Sequence, residues 1–261
     1  MSMVEKITEE WDSKPPNPRE IPEGIFVIQA DAAFKNGITG IAVRIKTKEK
    51  EYKPQTYSAR NEGPIHAELT AIKKGLMRLK RIRKKILRVV VYNDNRYAYY
   101  FLTNRWNAKK RYIKQVIEDI QNLVNELGVK VEFIWTKGKH LKKEDKLALK
   151  KRKNEEQRKE KQIQERVMKV EEAIVRGRDV TIYKKSGEFF ALSKKSESSQ
   201  GYKVSLNPPS CECPWWKNKW GNKPEYIQRA RALPCKHMCA LAEYLEVNIF
   251  EIFEKQIGRV D

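Results

Sequence analysis

Long apolar runs are missing from this sequence. No uncharged apolar stretch in its 261 residues approaches the roughly 18 residues needed to cross a bilayer. The first 24 residues, MSMVEKITEEWDSKPPNPREIPEG, also lack the apolar core of a signal peptide. We therefore expect a cytoplasmic protein that has no membrane partner.

Cysteine is absent from the chain until Cys211. All four cysteines lie between Cys211 and Cys239, which is too narrow an interval for a disulfide framework that staples the whole chain. In a reducing compartment, a cluster of cysteine and histidine is typical of a metal site.

Acidic residues are too few to balance the basic ones. Lys and Arg number 55 against 34 Asp and Glu, so the formal net charge is +21. This excess predicts a polyanionic partner, because phosphates neutralised by Lys or Arg release counterions. A membrane surface is the rival partner, but no long amphipathic helix with an apolar, Trp-rich face is evident. Thermophilic surface chemistry explains the number of charges but not their sign. Nucleic acid is therefore the expected partner.

The first two thirds of the chain predict a tail followed by an α/β domain. Residues 1–23 are proline-rich and charged, which is typical of a flexible tail. Three antiparallel strands (GIFVIQADAAF, TGIAVRIKT and KPQTYSA) follow, with Asn36-Gly37 as the first turn. A helix (PIHAELTAIKKGLMRLKRI), a strand (RVVVYND), a second helix (KKRYIKQVIEDIQNLVNELG) and a fifth strand (VKVEFIW) come next. This order predicts a mixed five-stranded sheet with flanking helices.

A charged helix separates this domain from a smaller one. We expect the first domain over residues 24–152, a charged helical linker over 153–178 and a small α+β zinc-finger domain over 179–261. Four aliphatic residues at helical spacing, Ile163, Val167, Val170 and Ile174, could pack the end of the helix on the second domain. A solvated spacer helix is the equal alternative.

The clustered cysteines predict one structural zinc site. Cys211 and Cys213 form one pair of ligands, and Cys235 and His237 form the other at the start of a helix. Four sulfur and nitrogen ligands complete a tetrahedral zinc site that has no open position. Cys239 is the alternative to His237 as the fourth ligand.

The C-x-C and C-x-H pairs, with the second pair running into an apolar helix, resemble the SWIM zinc finger over residues 180–245. Leu233-Pro234-Cys235-Lys236-His237 is also similar to the flank of that motif. The resemblance implies binding of DNA or of a protein. Between the two ligand pairs, aromatic and basic residues alternate, which suits nucleic-acid binding. They are Trp215, Trp216, Lys217, Lys219, Trp220, Arg229 and Arg231. Packing of the tryptophans in the core of the finger is the alternative.

Four acidic residues predict a second metal centre. Asp31 interrupts the apolar first strand, Glu68 lies on the first helix, Asp94 ends the fourth strand and Asp145 lies early in the charged helix. A buried carboxylate is costly unless it is paired or binds a metal. Converging carboxylates suit Mg²⁺, or Mn²⁺, because hard cations prefer oxygen ligands. Two such ions can activate water and stabilise the leaving oxygen of a phosphodiester.

Four segments in order resemble the type 1 ribonucleases H over residues 24–152. They are ADAAFKNGITGIAVRI, IHAELTAIKKGL, VVVYNDNRYAYYFL and VEFIWTKGKHLKKEDKLAL. The resemblance implies a ribonuclease H-like fold in which Asp31, Glu68, Asp94 and Asp145 are the catalytic, metal-binding set. His140 is a possible proton shuttle, although it lies closer to the final Asp than the mobile His of many members. An exposed loop histidine is the alternative.

The expected function is a metal-dependent endoribonuclease that hydrolyses the RNA strand of RNA–DNA hybrids by a two-metal-ion mechanism. The zinc finger would then bind nucleic acid or a protein partner. A DNA endonuclease or recombination-type nuclease is one alternative, because the fold alone does not specify the substrate. A non-catalytic nucleic-acid-binding adaptor is the other.

Overall fold

The computed structural model describes residues 14–82, 84–193, 201–221, 223 and 232–258. The chain divides into two compact units, Met1–Glu156 and Gln157–Asp261. Within the described residues, no helix is both long enough and apolar enough to cross a membrane.

The predicted flexible tail falls largely outside the described residues, because the description begins at Lys14. Pro18–Glu20 forms a 3-10 turn in which the Asn17 backbone N–H donates to the Glu20 carboxylate. Ile21 follows this turn and is 1% exposed, packed against the sheet beside Val27 and Val90. The last residues of the segment are therefore part of the first unit.

The first unit contains the mixed five-stranded sheet that the sequence predicted. The strands are β1 (Ile25–Lys35), β2 (Ile38–Lys46), β3 (Gln55–Arg60), β4 (Arg88–Asn93) and β5 (Lys130–Trp135). Their order in the sheet is β3-β2-β1-β4-β5, with β1 to β3 antiparallel and β4 and β5 parallel to β1. Asn36 and Gly37 both have positive φ, and this turn joins β1 to β2. The ribonuclease H-like fold is confirmed.

Helices pack on this sheet and enclose the main core. They are α1 (Pro64–Lys80), α2 (Arg96–Leu102) and α3 (Arg111–Leu127). Pro64 is the first residue of α1, where its missing N–H costs nothing, and α3 ends at Gly128 in the left-handed conformation. The core between α1, α3 and the sheet consists of buried aliphatic residues, among them Ile28, Ile41, Leu69, Leu76 and Ile120.

The sequence did not predict α2. Seven residues are too short to show helical periodicity, and this segment is rich in aromatic residues on all sides. Its start is marked by Asn95, whose side chain accepts a hydrogen bond of 3.0 Å from the Ala98 N–H. Asn is one of the residues preferred at the N-cap of a helix, because its side-chain oxygen accepts from a free backbone N–H of the first turn.

One continuous helix, α4 (Lys142–Gly177), covers 36 residues. It spans the predicted boundary after residue 152 and ends one residue before the predicted boundary after residue 178. Both boundaries stay predictions. The N-terminal part of α4, together with the residue before it, buries one face. The buried residues on this face are spaced three or four apart and are Leu141, Glu144, Ala148 and Arg152. Gly40 of β2 lies directly under this face, since a Cβ built there would be 2.1 Å from the Ala148 carbonyl oxygen.

Within the described residues, the second unit combines a four-stranded sheet with the C-terminal part of α4 and two further helices of nine and ten residues. The strands are β6 (Val180–Lys185), β7 (Glu188–Ser193), β8 (Tyr202–Leu206) and β9 (Pro209–Cys211), antiparallel in this order. The helices are α5 (Lys236–Tyr244) and α6 (Ile249–Gly258). The small α+β domain that the sequence predicted at the C-terminus is confirmed. The short strand β9 was not predicted, because three residues carry no alternation to detect.

The C-terminal part of α4 belongs to the core of the second unit. Val170 is fully buried there, and Ile163, Val167 and Ile174 pack against the same cluster. The aliphatic stripe is therefore a packing surface, and the alternative of a fully solvated spacer helix is wrong for these residues. Trp216, Met238 and Phe253 fill the centre of this core.

Candidate functional site

Three of the four predicted carboxylates converge in the first unit. Asp31 lies on β1, Glu68 on α1 and Asp94 directly after β4, and each offers an oxygen within 4.8 Å of the others. The reason is topological: β1 and β4 are parallel neighbours, with Gln29 paired to Tyr92. Two residues further along each strand, Asp31 and Asp94 therefore stand side by side.

Burial and mutual repulsion make this cluster unfavourable without a cation. Burial, then the charges of Asp94, Asp145 and Glu144, raise the pKa of Asp31 to about 7. Burial, followed by the charges of Asp31 and Asp94, raises the pKa of Glu68 well above its usual value, and the pKa of Asp94 is raised by burial and by Asp145. Within the described part of the chain, the buried Oδ2 of Asp31 has no hydrogen-bond partner. Acceptors arranged in this way fit a divalent cation such as Mg²⁺.

Asn93 holds the Glu68 carboxylate in the cluster. Its buried side-chain amide donates to Glu68 Oε2 at 2.8 Å and to the Ala30 carbonyl oxygen at 3.0 Å. Its side-chain oxygen accepts from the Asn95 N–H at 3.0 Å. Asn93 was not among the residues predicted from the sequence. Its only signal was a polar residue at the end of an apolar strand, next to Asp94.

Asp145 lies apart from the three converging carboxylates. It is exposed in the first turn of α4 and is not part of the group within 4.8 Å, but its charge raises the pKa of both Asp94 and Asp31. The neighbouring Glu144 has a different environment. It is 2% exposed and accepts a hydrogen bond from the Arg44 Nε.

The turn before α4 borders the same centre. Gly138 begins a 3-10 turn, Gly138–His140, and a Cβ built there would be 2.8 Å from Asp94 Oδ2. The Trp135 indole donates a 2.8 Å hydrogen bond to the Asp94 carbonyl oxygen. His140 is half-buried at the end of this turn. Its role as a proton shuttle stays a prediction.

An aromatic and basic surface follows Asp94. Tyr97 and Trp106 are 51% and 48% exposed, and their ring centroids are 5.4 Å apart. The Arg105 guanidinium lies over the rings of Tyr99 and Tyr100, 5.4 and 6.0 Å from their centroids. Exposed aromatic rings with an adjacent cation suit contact with unpaired bases and phosphates. This surface was not predicted from the sequence. The pattern RYAYYFLTNRW, in which Arg residues flank aromatic ones, could have indicated it.

The four predicted zinc ligands converge in the second unit. Cys211 ends β9, Cys213 caps the helical turn Pro214–Trp216, and Cys235 and His237 lie at the start of α5. All four are buried, and their ligand atoms lie within 4.8 Å of one another, with His237 Nδ1 3.7 Å from Cys211 Sγ and 4.0 Å from Cys235 Sγ. Cys239 is buried but lies outside this group. Three sulfurs and one imidazole nitrogen fit a structural zinc ion.

The predicted nucleic-acid-binding residues of the finger separate into distinct environments. Trp216 is 3% exposed in the core, so its ring is not accessible to a base, and the prediction of nucleic-acid contact is wrong for this residue. Trp215 is 47% exposed and has the Lys219 Nζ 4.8 Å from its ring centroid. Lys217 is exposed and Trp220 half-buried. Arg229 and Arg231 lie outside the described residues.

A cavity of about 800 Å³ lies beside the zinc ligands, within the second unit. Four cationic side chains line it, against two acidic ones, Glu172 and Asp179. The cations are Lys169, Arg176, Lys219 and Lys236. Trp215 and Tyr202 add aromatic rings to the same wall. This combination of positive charge and aromatic surface could not be predicted from local sequence, because two of the four cations lie on α4, far along the chain from the other two.

Two family models match the chain. Residues 29–141 match the reverse transcriptase-like model, which is ribonuclease H-like, and residues 202–246 match the SWIM zinc finger model. Both resemblances are thereby confirmed. A ribonuclease H-like domain and a SWIM finger together support a nuclease-type function.

Solved ribonucleases H are similar to the first unit. The N-terminal ribonuclease H domain of a Mycobacterium tuberculosis protein is 17% identical, with a TM-score of 0.47 over 51% of this chain and 96% of that one. Ribonuclease H1 from Halobacterium salinarum is 12% identical, with a TM-score of 0.44 over 48% and 94%. LC11 ribonuclease H1, solved in complex with an RNA/DNA hybrid, is 16% identical, with a TM-score of 0.46 over 49% and 97%. No curated protein matches the chain in sequence.

Proposed function

We propose that this chain is a metal-dependent endoribonuclease that hydrolyses the RNA strand of RNA–DNA hybrids. The observation that carries the proposal is the convergence of Asp31, Glu68 and Asp94, whose oxygens lie within 4.8 Å of one another. Their raised pKa values fit a centre that is completed by divalent cations.

We assign the metal-binding role to Asp31, Glu68 and Asp94, with Asp145 at the edge of the centre. Two Mg²⁺ ions held there would activate a water molecule and stabilise the leaving oxygen of the phosphodiester. The contributions of the chain are positional: Asn93 holds Glu68 by the hydrogen bond from its amide, and Gly138 leaves room for the Asp94 carboxylate. His140 is the residue that we propose to move a proton.

The choice of nucleic acid as substrate rests on charge and on the surface beside Asp94. A net charge of +21 favours a polyanion, and the exposed rings of Tyr97 and Trp106 offer a stacking platform within twelve residues of Asp94. The assignment of an RNA–DNA hybrid follows from the resemblance to type 1 ribonucleases H.

The test is cleavage of labelled RNA–DNA hybrid, duplex DNA and duplex RNA in the presence of Mg²⁺ or Mn²⁺. Asp94→Asn should abolish cleavage, because it removes a carboxylate from the metal centre, and should leave hybrid affinity nearly intact. Asp119→Asn is the matched control, since Asp119 lies on α3 and pairs with Lys73 at 2.6 Å. It should cut like the wild type.

Each result of this test has one interpretation. Cleavage of the hybrid alone, lost in Asp94→Asn, supports the proposal. Cleavage of duplex DNA replaces it with the DNA endonuclease alternative. Tight binding without cleavage makes the protein a nucleic-acid-binding adaptor. Equal loss of cleavage and affinity in Asp94→Asn argues against a catalytic role for that carboxylate.

We further propose that the finger adds affinity for the same nucleic acid through the cavity beside the zinc site. Trp215→Ala with Lys219→Ala, introduced into the Asp94→Asn protein, should weaken hybrid binding and lower the slope of log K against log salt concentration by about 1. Lys203→Ala is the control, because Lys203 pairs with Glu188 and does not line the cavity. Unchanged hybrid affinity would argue against this role and favour binding of a protein partner by the finger.

A further inference from the structure

Arg44 and Glu144 form a buried ion pair next to the carboxylate centre. Arg44 lies on β2 and Glu144 in the first turn of α4, and their side chains are 8% and 3% exposed. The Arg44 Nε donates to the Glu144 carboxylate across 100 residues of sequence. A second nitrogen of the guanidinium, Nη1, donates to the Glu51 carboxylate. The guanidinium is therefore held from both sides.

The pair stands where α4 touches the sheet. Gly40 and Arg44 lie on the same face of β2, because they are separated by an even number of residues. At Gly40 the backbone of α4 comes so close that a Cβ would be 2.1 Å from the Ala148 oxygen and 2.5 Å from the Arg152 nitrogen. Gly40 thus limits the height of the helix above the sheet, while the rotation of the helix about its axis depends on the side chains of its buried face.

The ion pair restricts that rotation. Successive residues of an α-helix are about 100° apart around its axis, since about 3.6 residues complete a turn. A bond that fixes the direction of Glu144 therefore also fixes the direction of Asp145, the next residue. Asp145 is exposed on the flank of the helix, and its charge acts on Asp31 and Asp94.

We propose that Arg44 and Glu144 are positioning residues, which set the rotation of α4 and so hold Asp145 at the edge of the metal centre. This inference rests on the proposed function, because it assigns Asp145 to the centre. Neither residue belongs to the group of converging carboxylates that would hold the metal. Glu144 is occupied by Arg44, and for this reason Asp145 rather than Glu144 is the acid available to the centre.

The test is the double variant Arg44→Met/Glu144→Leu in the zinc-loaded full chain. It removes one positive and one negative charge, so the net charge is unchanged, and apolar replacement of a buried ion pair commonly preserves stability. We expect a melting temperature close to that of the wild type, with Mn²⁺ affinity in calorimetric titration lowered at least about tenfold, as for other residues that orient metal ligands. Hybrid cleavage should fall in parallel.

Glu144→Ala tests the same point if the double variant does not fold. Arg44 keeps its second partner, Glu51, in that variant, so its buried charge is not left unpaired. The matched control is Arg88→Met/Glu132→Leu, which removes an ion pair at the opposite end of β4 from Asp94. The control should bind Mn²⁺ like the wild type.

The outcomes separate this inference from the proposed function. Wild-type Mn²⁺ affinity in a folded Arg44→Met/Glu144→Leu or Glu144→Ala protein overturns the positioning role and leaves the nuclease proposal standing. A wild-type protein that neither binds Mn²⁺ beside its zinc nor cuts the hybrid overturns both. Reduced Mn²⁺ affinity in the Arg88 control as well makes the effect a general one of lost stability, which also overturns the positioning role.

Discussion

Gly138 lies against the Asp94 carboxylate, where a side chain of any size meets Oδ2 at 2.8 Å or less. The obstacle to substitution here is the end of one carboxylate, not the backbone of the fold. A change at this position therefore acts on the centre before it acts on stability.

Gly138→Ala should lower cleavage by about tenfold or more, since a displacement of about 1 Å in a reacting group is costly, while the melting temperature changes little. Single-turnover cleavage and thermal unfolding of the same preparation measure the two effects. Gly63→Ala is the control, because a Cβ there meets nothing within 4 Å. A large loss of stability in Gly138→Ala, with proportional loss of cleavage, would contradict this account.

Asp31 makes the stability of the metal-free carboxylate centre depend on pH. Its pKa is raised from 3.8 to about 7 by burial and by neighbouring acids. A carboxyl with a higher pKa in the folded state contributes full stability below its unfolded pKa, and this contribution is lost as pH rises through the folded value. The zinc-loaded protein without Mg²⁺ should therefore lose melting temperature between about pH 4 and about pH 8.

Asp31→Asn should weaken that pH dependence, because an amide does not titrate, while Glu68 and Asp94 still do. Thermal unfolding of both proteins across the same pH series gives the comparison, and Mg²⁺ should stabilise the wild type most at the alkaline end. Identical pH profiles for the wild type and Asp31→Asn would show that Asp31 titrates in its ordinary range.

At the scale of elements, the contact of β2 with α4 depends on a single missing side chain. The Cβ of an alanine at Gly40 would meet backbone atoms of α4, the Ala148 oxygen and the Arg152 nitrogen. Backbone cannot rotate away as a side chain can, so the helix must move as a whole.

Gly40→Ala should destabilise the first unit by about 1–3 kcal/mol or more, the usual range for overpacking. Gly75→Ala is the matched control. Its Cβ would meet the Ile28 Cγ2 at 2.7 Å, which is a side-chain methyl, and a helical alanine gains about 1 kcal/mol over glycine. Urea unfolding of both variants should give the larger loss for Gly40→Ala. The reverse order would mean that α4 adjusts its height easily.

The elements themselves followed from local pattern with few exceptions. Long periodic segments such as α1 and α3 were predictable, because each contains several turns that bury one face. The short elements α2 and β9 were not, because seven and three residues contain too few repeats to show a period.

For the whole molecule, zinc binding should decide whether the second unit folds. Its four ligands are buried beside Trp216 and Met238, and metal-binding free energy is folding free energy in small zinc domains. Removal of zinc by a chelator should abolish the near-ultraviolet dichroism of the tryptophans in the second unit and should spare most of the far-ultraviolet signal of the first.

Cys213→Ser should give the same spectrum without a chelator, because one ligand is lost. After the chelator is removed by dialysis, added zinc should restore the near-ultraviolet signal of the wild-type protein. It should not restore that signal in Cys213→Ser. A chelated protein that keeps its full near-ultraviolet signal would show that the apolar core holds the second unit without metal.

The sequence by itself determined the order of the longer strands and helices, and it pointed to the Cys211, Cys213, Cys235 and His237 cluster and to three converging acids, because these depend on residue type and on short-range spacing. Only the tertiary structure decided the environment of each side chain. Glu144 and Asp145 are adjacent in sequence, yet one is buried against Arg44 and the other exposed beside the carboxylate centre. Trp215 and Trp216 separate in the same way. Burial depends on partners far away in the chain, which no local pattern contains.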